Sequence, residues 1–578
     1  MKYKKINKST KKIVANQYLN DWFAYLGYSS KTIAKLDVEE HDPSLLSDVE
    51  KASDMLFEAI SDSSEIITIS GDYDCDGICG TSVLYQGIKY LGKIPKYMIP
   101  DRIKDGYGMN RRLIDKAAEM GTTLLITVDN GISCHDAIEY AKSLGMKVII
   151  TDHHTIGNTL PNADVIVHPG LGKYPFRDIS GATVAYKLMS YMIEKGNVEN
   201  DDIDKKDIID YLRCLSGITV ISDVMPLVNE NRVIFKRSID YLKERKNPAL
   251  TYLLELAEID IEHIDETSYG FSICPMINAV GRISNAEYAV EFFITEDPKT
   301  RQYVGLSLSA LNEKRKFMQK EALEKITVND KHEGIVVFST DKIHEGLIGI
   351  IAGRICQQYK KPTIVFTKAV LDGKEIWKGS ARSTEDCNMF DVLSDMARTD
   401  PELFINFGGH AGAAGMSIPI DKKESFEDLY FQKVSAHTIE YEQAYMEVPA
   451  DQVNDLVEAM KQWQPFGNGF PNPVIRMQFD VTNAKLYYKT GSAYLTNGII
   501  DIWEKIPNVV DAIRNHDYRL TFSSFDKYLS NSEEEATKTE YYRPRHQLLS
   551  YDLICGISPN YFAGKDTIRA EILRFVEK

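Results

Sequence analysis

The sequence predicts an α/β protein built on a doubly wound parallel sheet, and two observations carry that expectation. Short apolar runs alternate with stretches whose apolar residues recur at helical spacing, from about residue 65 onward. The helical stretches are long enough to serve as crossovers between parallel strands. Taken in order, residues 66–69 form a buried strand and 78–91 a helix, 97–99 a strand and 111–120 a helix. Residues 124–128 form a strand, 133–144 a helix, 148–151 a strand and 164–167 a further strand.

The remainder divides by composition. Residues 1–60 read as a helical N-terminal segment, followed by the doubly wound domain over 61–304 whose second half, from 171, is more helical. The polar stretch 199–210 fits a surface loop or helix start. The charge-laced run 306–326 reads as a rigid connector helix within 305–330. A smaller α/β domain is expected over 331–445, with strands at 334–338 and 363–366, a helix at 348–358, and Gly-rich turns to about 440. Alternation after Pro465-Phe466-Gly467-Asn468-Gly469-Phe470-Pro471 suggests a β-rich domain over 446–578, in which 500–514 looks partly helical and 531–539 forms a solvated loop.

Composition narrows the function classes. The chain has 578 residues, 43% hydrophobic and 26% charged, the profile of a soluble globular protein of three or four domains. Its longest apolar runs, such as 347–352, fall far short of the roughly 20 residues needed to span a bilayer. The basic N-terminus is followed by no apolar stretch, so it is not a secretory signal. A net charge of −16 argues against non-specific coating of nucleic acid, though an acidic metal site and a basic groove can share one chain. The eight cysteines include no CxxC pair and are too sparse for a disulfide scaffold, which fits a reduced, cytoplasmic setting.

The strongest local signal is Gly71-Asp72-Tyr73-Asp74-Cys75-Asp76-Gly77, directly after a strand. Three closely spaced carboxylates repel one another unless cations or donors share them. A calcium EF-hand loop also begins this way, but it needs Glu at its twelfth position, where Val83 stands, and a preceding helix. Asp129, with Asn130-Gly131, and Asp152-His153-His154 close two later strands, and Asp223 follows the apolar run 218–221. Strand ends of one open sheet face a common crevice. Carboxylates with one or two imidazoles favour Mn²⁺ or Mg²⁺ over structural zinc. A lone Asp at a strand end is usually a helix cap and a lone His-His is usually structural; it is their combination that indicates a metal site.

These motifs, in this order, resemble those of the DHH phosphoesterase superfamily. Cys274 to Arg282 (CPMINAVGR) is similar to a segment of the RecJ-type single-strand exonucleases, and Leu311-Asn312-Glu313-Lys314-Arg315 resembles that family's linker helix. His344 to Ala352, Gly379 to Ser383 and Gly408 to Gly415 resemble its DHHA1 domain, and Pro465-Phe466-Gly467-Asn468-Gly469 resembles the lead-in to its OB-like domain, which implies an OB-like fold for the β-rich C-terminal part. The resemblance runs from about 65 to 475.

It implies a metal-dependent 5′→3′ exonuclease that hydrolyses single-stranded DNA to 5′-mononucleotides by a two-metal mechanism, in recombination, repair or replication. Asp74, Asp76, Asp129, His153 and Asp223 are then ligands of two Mn²⁺ or Mg²⁺ ions, with Asp129 bridging. His154 faces the scissile phosphate, while Asp72 and Asp152 orient the ligands. His154, Asp129, Asp76 and Asp152 form the expected catalytic set. Arg282, Ser380 and Arg382 are candidates for gripping a 5′ phosphate, with Asn278, Gly409, His410, Arg102 and Tyr107 also expected along the substrate path. Read without the resemblance, Arg282 fits a structural salt bridge, Ser380 a turn hydroxyl, and Arg102 and Tyr107 solvated loop positions.

The expected partners are single-stranded DNA and a single-strand-binding protein or helicase, acting with a monomer and no membrane. Two competing classes remain: a DHH oligoribonuclease, cyclic-dinucleotide phosphodiesterase or polyphosphatase, and a non-catalytic replication scaffold. The first group is generally shorter, and the second would have lost carboxylates that are present here.

Overall fold

The computed structural model describes residues 2–6, 15–29, 36, 38–106, 108–196, 204–371, 373–439, 442–479, 485–489, 492–496, 500–505, 541–542, 551–562 and 565–576. They belong to two units, Leu36–Thr438 and Met1–Lys35 with Ile439–Lys578. Strands are numbered β1 to β19 in chain order.

The larger unit contains the doubly wound sheet. β2 (Ile67–Ser70), β3 (Lys96–Met98), β4 (Leu124–Val128), β5 (Lys147–Thr151) and β6 (Val165–Val167) are all parallel, in the order β3-β2-β4-β5-β6. Pleating sends successive residues to opposite faces. Ile67, Ile69, Leu124, Ile126, Val128 and Ile149 therefore join the core with helices Cys75–Tyr90 and Gly181–Lys195. Leu125, Val148 and Ile150 join the opposite core, with helices Arg111–Glu119 and His135–Ser143. Covering both faces requires strands that are apolar throughout, which is why these runs do not alternate with polar residues. The chain order reverses at the β2/β4 boundary, and ligand crevices in open sheets form at the carboxyl ends of strands at such a boundary.

Helices Lys205–Ser222 and Asn229–Lys243 extend the unit, followed by Cys274–Ile283 and the 28-residue helix Pro298–Lys325. This last helix is about 42 Å long at 1.5 Å per residue. It starts eight residues before the expected connector, because Asp297 accepts from the amides of Lys299 and Thr300 and Pro298 opens the first turn.

The second sheet has the order β10-β11-β9-β8-β7. It comprises β7 (Ile335–Phe338), β8 (Thr363–Leu371), β9 (Lys374–Arg382), β10 (Asn406–His410) and β11 (Ala413–Pro419). Much of what reads as Gly-rich turns is thus strand. Glycine lowers strand propensity locally, but cross-strand pairing at Gly408↔Gly415 and Gly415↔Ser380 overrides it.

The smaller unit carries a nine-stranded sheet in the order β1-β12-β13-β18-β19-β16-β15-β14-β17. These strands are β1 (Lys2–Lys5), β12 (Glu442–Glu447), β13 (Val474–Phe479), β14 (Lys485–Lys489), β15 (Ser492–Thr496), β16 (Ile500–Lys505), β17 (Tyr541–Tyr542), β18 (Tyr551–Phe562) and β19 (Lys565–Val576). Helix Ala15–Tyr25 is pinned by Trp22, whose indole donates to the Pro471 carbonyl at 3.1 Å, and by Phe23 stacked on Phe470. Two expectations are corrected here. Residues 2–5 are not helical but form an edge strand parallel to β12, a long-range pairing with no local apolar signature. Residues 500–505 are strand rather than helix, as the alternation of Ile500 and Ile502 with Asp501 permits. Residues 506–514 and the loop at 531–539 lie outside the described residues.

Candidate metal centre

β2 ends at Ser70, and Gly71 to Asp74 lead into helix Cys75–Tyr90. Asp74 caps that helix, accepting from the amides of Asp76 at 3.0 Å and Gly77 at 3.1 Å. Only glycine fits at 77, since a Cβ there would stand 2.4 Å from the Asp72 nitrogen. Asp76 points across to a second helix: its two carboxylate oxygens accept from the amides of Gly181 at 2.7 Å and Ala182 at 2.9 Å, at the positive end of Gly181–Lys195. Asp129 follows β4 with φ +61°, a left-handed conformation that non-glycine residues other than Asn and Asp seldom adopt.

Asp152, after β5, accepts from the amides of His153 at 2.7 Å and His154 at 3.1 Å, from His154 Nδ1 at 2.8 Å, and from the Ile132 amide at 2.9 Å. The apolar run before Asp223 is the last turn of helix Lys205–Ser222, so this carboxylate comes from a helix end rather than a strand end.

These elements bring the candidates together. His153 Nε2 lies 3.2 Å from Asp129 Oδ1, 3.6 Å from Asp223 Oδ2 and 3.7 Å from Asp76 Oδ2. Three groups of potential ligands result: Asp76 with His153 and Asp223, Asp129 with His153 and His154, and Asp72 with Asp74 and Asp129. In each, the ligand atoms lie within 4.8 Å of one another. Asp72, expected only to support the ligands, thus has a carboxylate oxygen among them.

The electrostatics call for a cation. Burial, followed by the charge of Asp74, pushes Asp76 up to about 7, and burial with Asp76 and Asp74 pushes Asp223 up to about 9. Burial and its carboxylate neighbours also drive Asp129 and Asp72 well above the ordinary range. Burial and the neighbouring His154 bring His153 down to about 3, keeping it neutral and able to offer a lone pair. Asp152 behaves oppositely: burial resists its charge, but the His154 hydrogen bond and charge bring it down to about 2. His153 Nε2 and Asp72 Oδ1 are buried without a hydrogen-bond partner. Hard oxygen and imidazole donors with two orphaned atoms fit Mn²⁺ or Mg²⁺.

A basic cluster stands beside these groups. Arg282 Nη1 donates to the Gly346 carbonyl at 3.2 Å, and Arg382 Nη1 donates to Ser380 Oγ at 3.1 Å and the Ala381 carbonyl at 2.8 Å. Burial, then the charges of Arg102, Arg382 and Arg315, pushes Arg282 down to about 9. Burial and Arg102 also lower Arg382. Among the described residues no carboxylate lies within ion-pair distance of Arg102, Arg282 or Arg382, so the cluster favours an anion. Arg315 is a member the sequence left unassigned. It lies in the linker-helix motif, and its Nε donates to Asn312 Oδ1 at 3.1 Å.

Arg102 stacks over Tyr73 at 4.7 Å. His410 faces His154 with ring centroids 6.2 Å apart, and Gly409, with φ +151°, precedes it. Asn278 has a framework contact, its side-chain oxygen accepting from the Cys75 amide at 2.9 Å. Tyr107 lies outside the described residues.

Comparison with known proteins finds family matches in two regions of the chain. Residues 66–217 match the DHH family, N-terminal domain, and residues 332–436 match the DHHA1 domain. The chain is 31% identical over 465 residues to the single-stranded-DNA-specific exonuclease RecJ of Escherichia coli K12, covering 76% of this chain and 79% of that protein. Identity to the Bacillus subtilis protein of the same name is 32% over 460 residues, or 76% of this chain and 55% of that one. The crystal structure of RecJ in complex with Mn²⁺ from Thermus thermophilus shares the fold, with TM-score 0.72 at 22% identity over 96% of this chain and 75% of that one. A crystal structure of exonuclease RecJ bound to manganese aligns with TM-score 0.56 at 27% identity, over 68% of this chain and 95% of that one.

Proposed function

Because this chain belongs to the RecJ family of single-stranded-DNA-specific exonucleases, we propose that it degrades single strands from the 5′ end to 5′-mononucleotides at a two-ion Mn²⁺ or Mg²⁺ centre. It is a metal-dependent exonuclease of single-stranded DNA. The observation that carries the metal reading is His153 Nε2, buried without a hydrogen bond and ringed by three carboxylates.

Asp74, Asp76, Asp129, His153 and Asp223 would hold the ions, with Asp72 adding a carboxylate oxygen. Divalent cations there acidify the attacking water and neutralise charge on the phosphate. The protein's own groups do the rest. Asp152 holds His154 by its amide and its ring, which orients the imidazole toward the substrate phosphate. Arg282 and Arg382, with Ser380, take the 5′-terminal phosphate, because planar guanidinium groups meet phosphate oxygens two at a time. Direction follows from that clamp, since a metal pair has no polarity of its own. Arg102 on Tyr73 and His410 opposite His154 line the adjoining strand. A single-strand-binding protein or helicase that presents the strand fits this activity.

The test is digestion, with added Mn²⁺, of single strands carrying hydrolysis-resistant linkages at one end only. A block at the 5′ end should stop degradation and a block at the 3′ end should not. The reverse would overturn the clamp and the polarity, and digestion that survives exhaustive chelation would overturn the metal reading.

A further inference from the structure

We infer that His168 is a positioning residue for the His153-His154 segment, an inference that rests on the metal-site reading above. His168 follows β6 and is 3% exposed, with both ring nitrogens engaged. The Gly170 amide donates to Nδ1 at 2.8 Å. Nδ1 therefore carries a lone pair and the ring proton sits on Nε2. Nε2 is 2.8 Å from the His154 carbonyl oxygen and donates to it.

The contact completes a grip that Asp152 begins. Asp152 holds the amides of His153 and His154 and the His154 ring, while His168 holds the His154 carbonyl on the far side of the same residue. The two holding residues leave adjacent parallel strands, with Thr151 opposite Val167 and the Asp152 amide donating to the Val167 carbonyl at 3.3 Å. Their spacing is thereby set by sheet register. Gly170 leaves room for the ring, since a Cβ there would stand 3.0 Å from both Cε1 and Nδ1 of His168. The segment so held carries His153 Nε2, 3.2 Å from Asp129, and the His154 ring, 3.8 Å from the same carboxylate. A small movement of this segment would alter the ligand distances of two candidate groups at once, which is how groups behind a metal's ligands control affinity and turnover.

The test uses the metal-stripped full-length chain as wild type, His168→Leu and His168→Gln, with Mn²⁺ binding followed by calorimetry and kinetics on a 5′-phosphorylated single strand. For His168→Leu the Mn²⁺ dissociation constant should rise about 10-fold and kcat fall about 10- to 100-fold. KM for the strand should stay within about 2-fold, because the lost bonds touch no substrate. His168→Gln, whose amide keeps a donor, should bring Mn²⁺ affinity back to within about 3-fold of wild type. If His168→Leu does not fold, His168→Phe keeps the ring volume, loses both hydrogen bonds and carries the same expectations. Wild-type Mn²⁺ affinity and kcat in the apolar variant would overturn the inference. So would an equal loss in His168→Gln when its metal-free melting temperature is unchanged. A wild-type chain that binds no Mn²⁺ would overturn the metal reading and this inference with it.

Discussion

His153 Nε2 and Asp129 Oδ1 stand 3.2 Å apart, both buried, and among the described residues the imidazole nitrogen has no hydrogen-bond partner. A neutral imidazole and a buried carboxyl group placed so closely, among further carboxylates, are arranged to share a cation.

Asp129→Asn should abolish turnover, lowering kcat at least 100-fold, while single-strand binding stays within about 3-fold. Asparagine is preferable to alanine because it tolerates the left-handed backbone at this position. Removing one of several crowded carboxyl groups, each of which must take up a proton to be buried without metal, should also stabilise the metal-free protein by about 0.5–2 kcal/mol, read as a higher melting temperature in EDTA. A variant that keeps a tenth of the wild-type rate would disprove the bridging role.

Metal-free stability should fall as pH rises. Asp76 and Asp223 are raised to about 7 and about 9, so between about pH 4 and 9 the folded state binds more protons than the unfolded chain. Their contribution is therefore complete at low pH and is lost as pH climbs through these values. Melting curves from pH 5 to 9 in EDTA should show a steady decline, and saturating Mn²⁺ should flatten or invert it. A rise with pH in EDTA would show that these carboxylates are not held protonated.

Arg282→Ala and Arg382→Ala should each weaken preference for a 5′-phosphorylated over a 5′-hydroxyl strand. A charge-assisted hydrogen bond contributes about 1.5–3 kcal/mol, or about 10- to 150-fold in kcat/KM. Metal-dependent cleavage of a 5′-hydroxyl strand should change far less. Equal losses on both strands would make these arginines structural.

Gly281→Ala should destabilise the fold by more than about 2 kcal/mol and reduce Mn²⁺ affinity. The added Cβ would stand 1.9 Å from the Tyr73 carbonyl oxygen, forcing helix Cys274–Ile283 away from the loop that bears Asp72 and Asp74. Chemical denaturation with and without Mn²⁺ measures both effects.

Much of the candidate site is legible in the sequence because Asp129 and Asp152 directly follow apolar strand runs, Asp72 and Asp74 lie in the short turn after another, and parallel strands align those ends. Asp223 could be singled out but not placed, since a largely apolar run of four residues does not distinguish a strand from the last turn of a helix. The joining of Asp76 to the start of helix Gly181–Lys195 spans more than a hundred positions and has no local signal. The same holds for Lys2–Lys5 on β12. Of the basic cluster, Arg102, Arg282 and Arg382 are legible as candidates, whereas the coupling of Arg315 to Arg282 emerges only when the long helix packs. Asn278 illustrates the converse, a motif residue whose described contact, to the Cys75 amide, is to the framework.

The seat of Gly181–Lys195 on the Asp76 carboxylate bears on how such an enzyme could lose its chemistry over time. An asparagine at 76 would turn an NH₂ group toward one of two amides that can only donate, at a cost of about 1–3 kcal/mol. Drift at this position therefore damages the scaffold along with the catalyst. A descendant retained only for its shape would first have to rebuild the start of that helix. At Asp129, by contrast, the backbone already suits asparagine, so inactivation could begin there and leave the architecture standing.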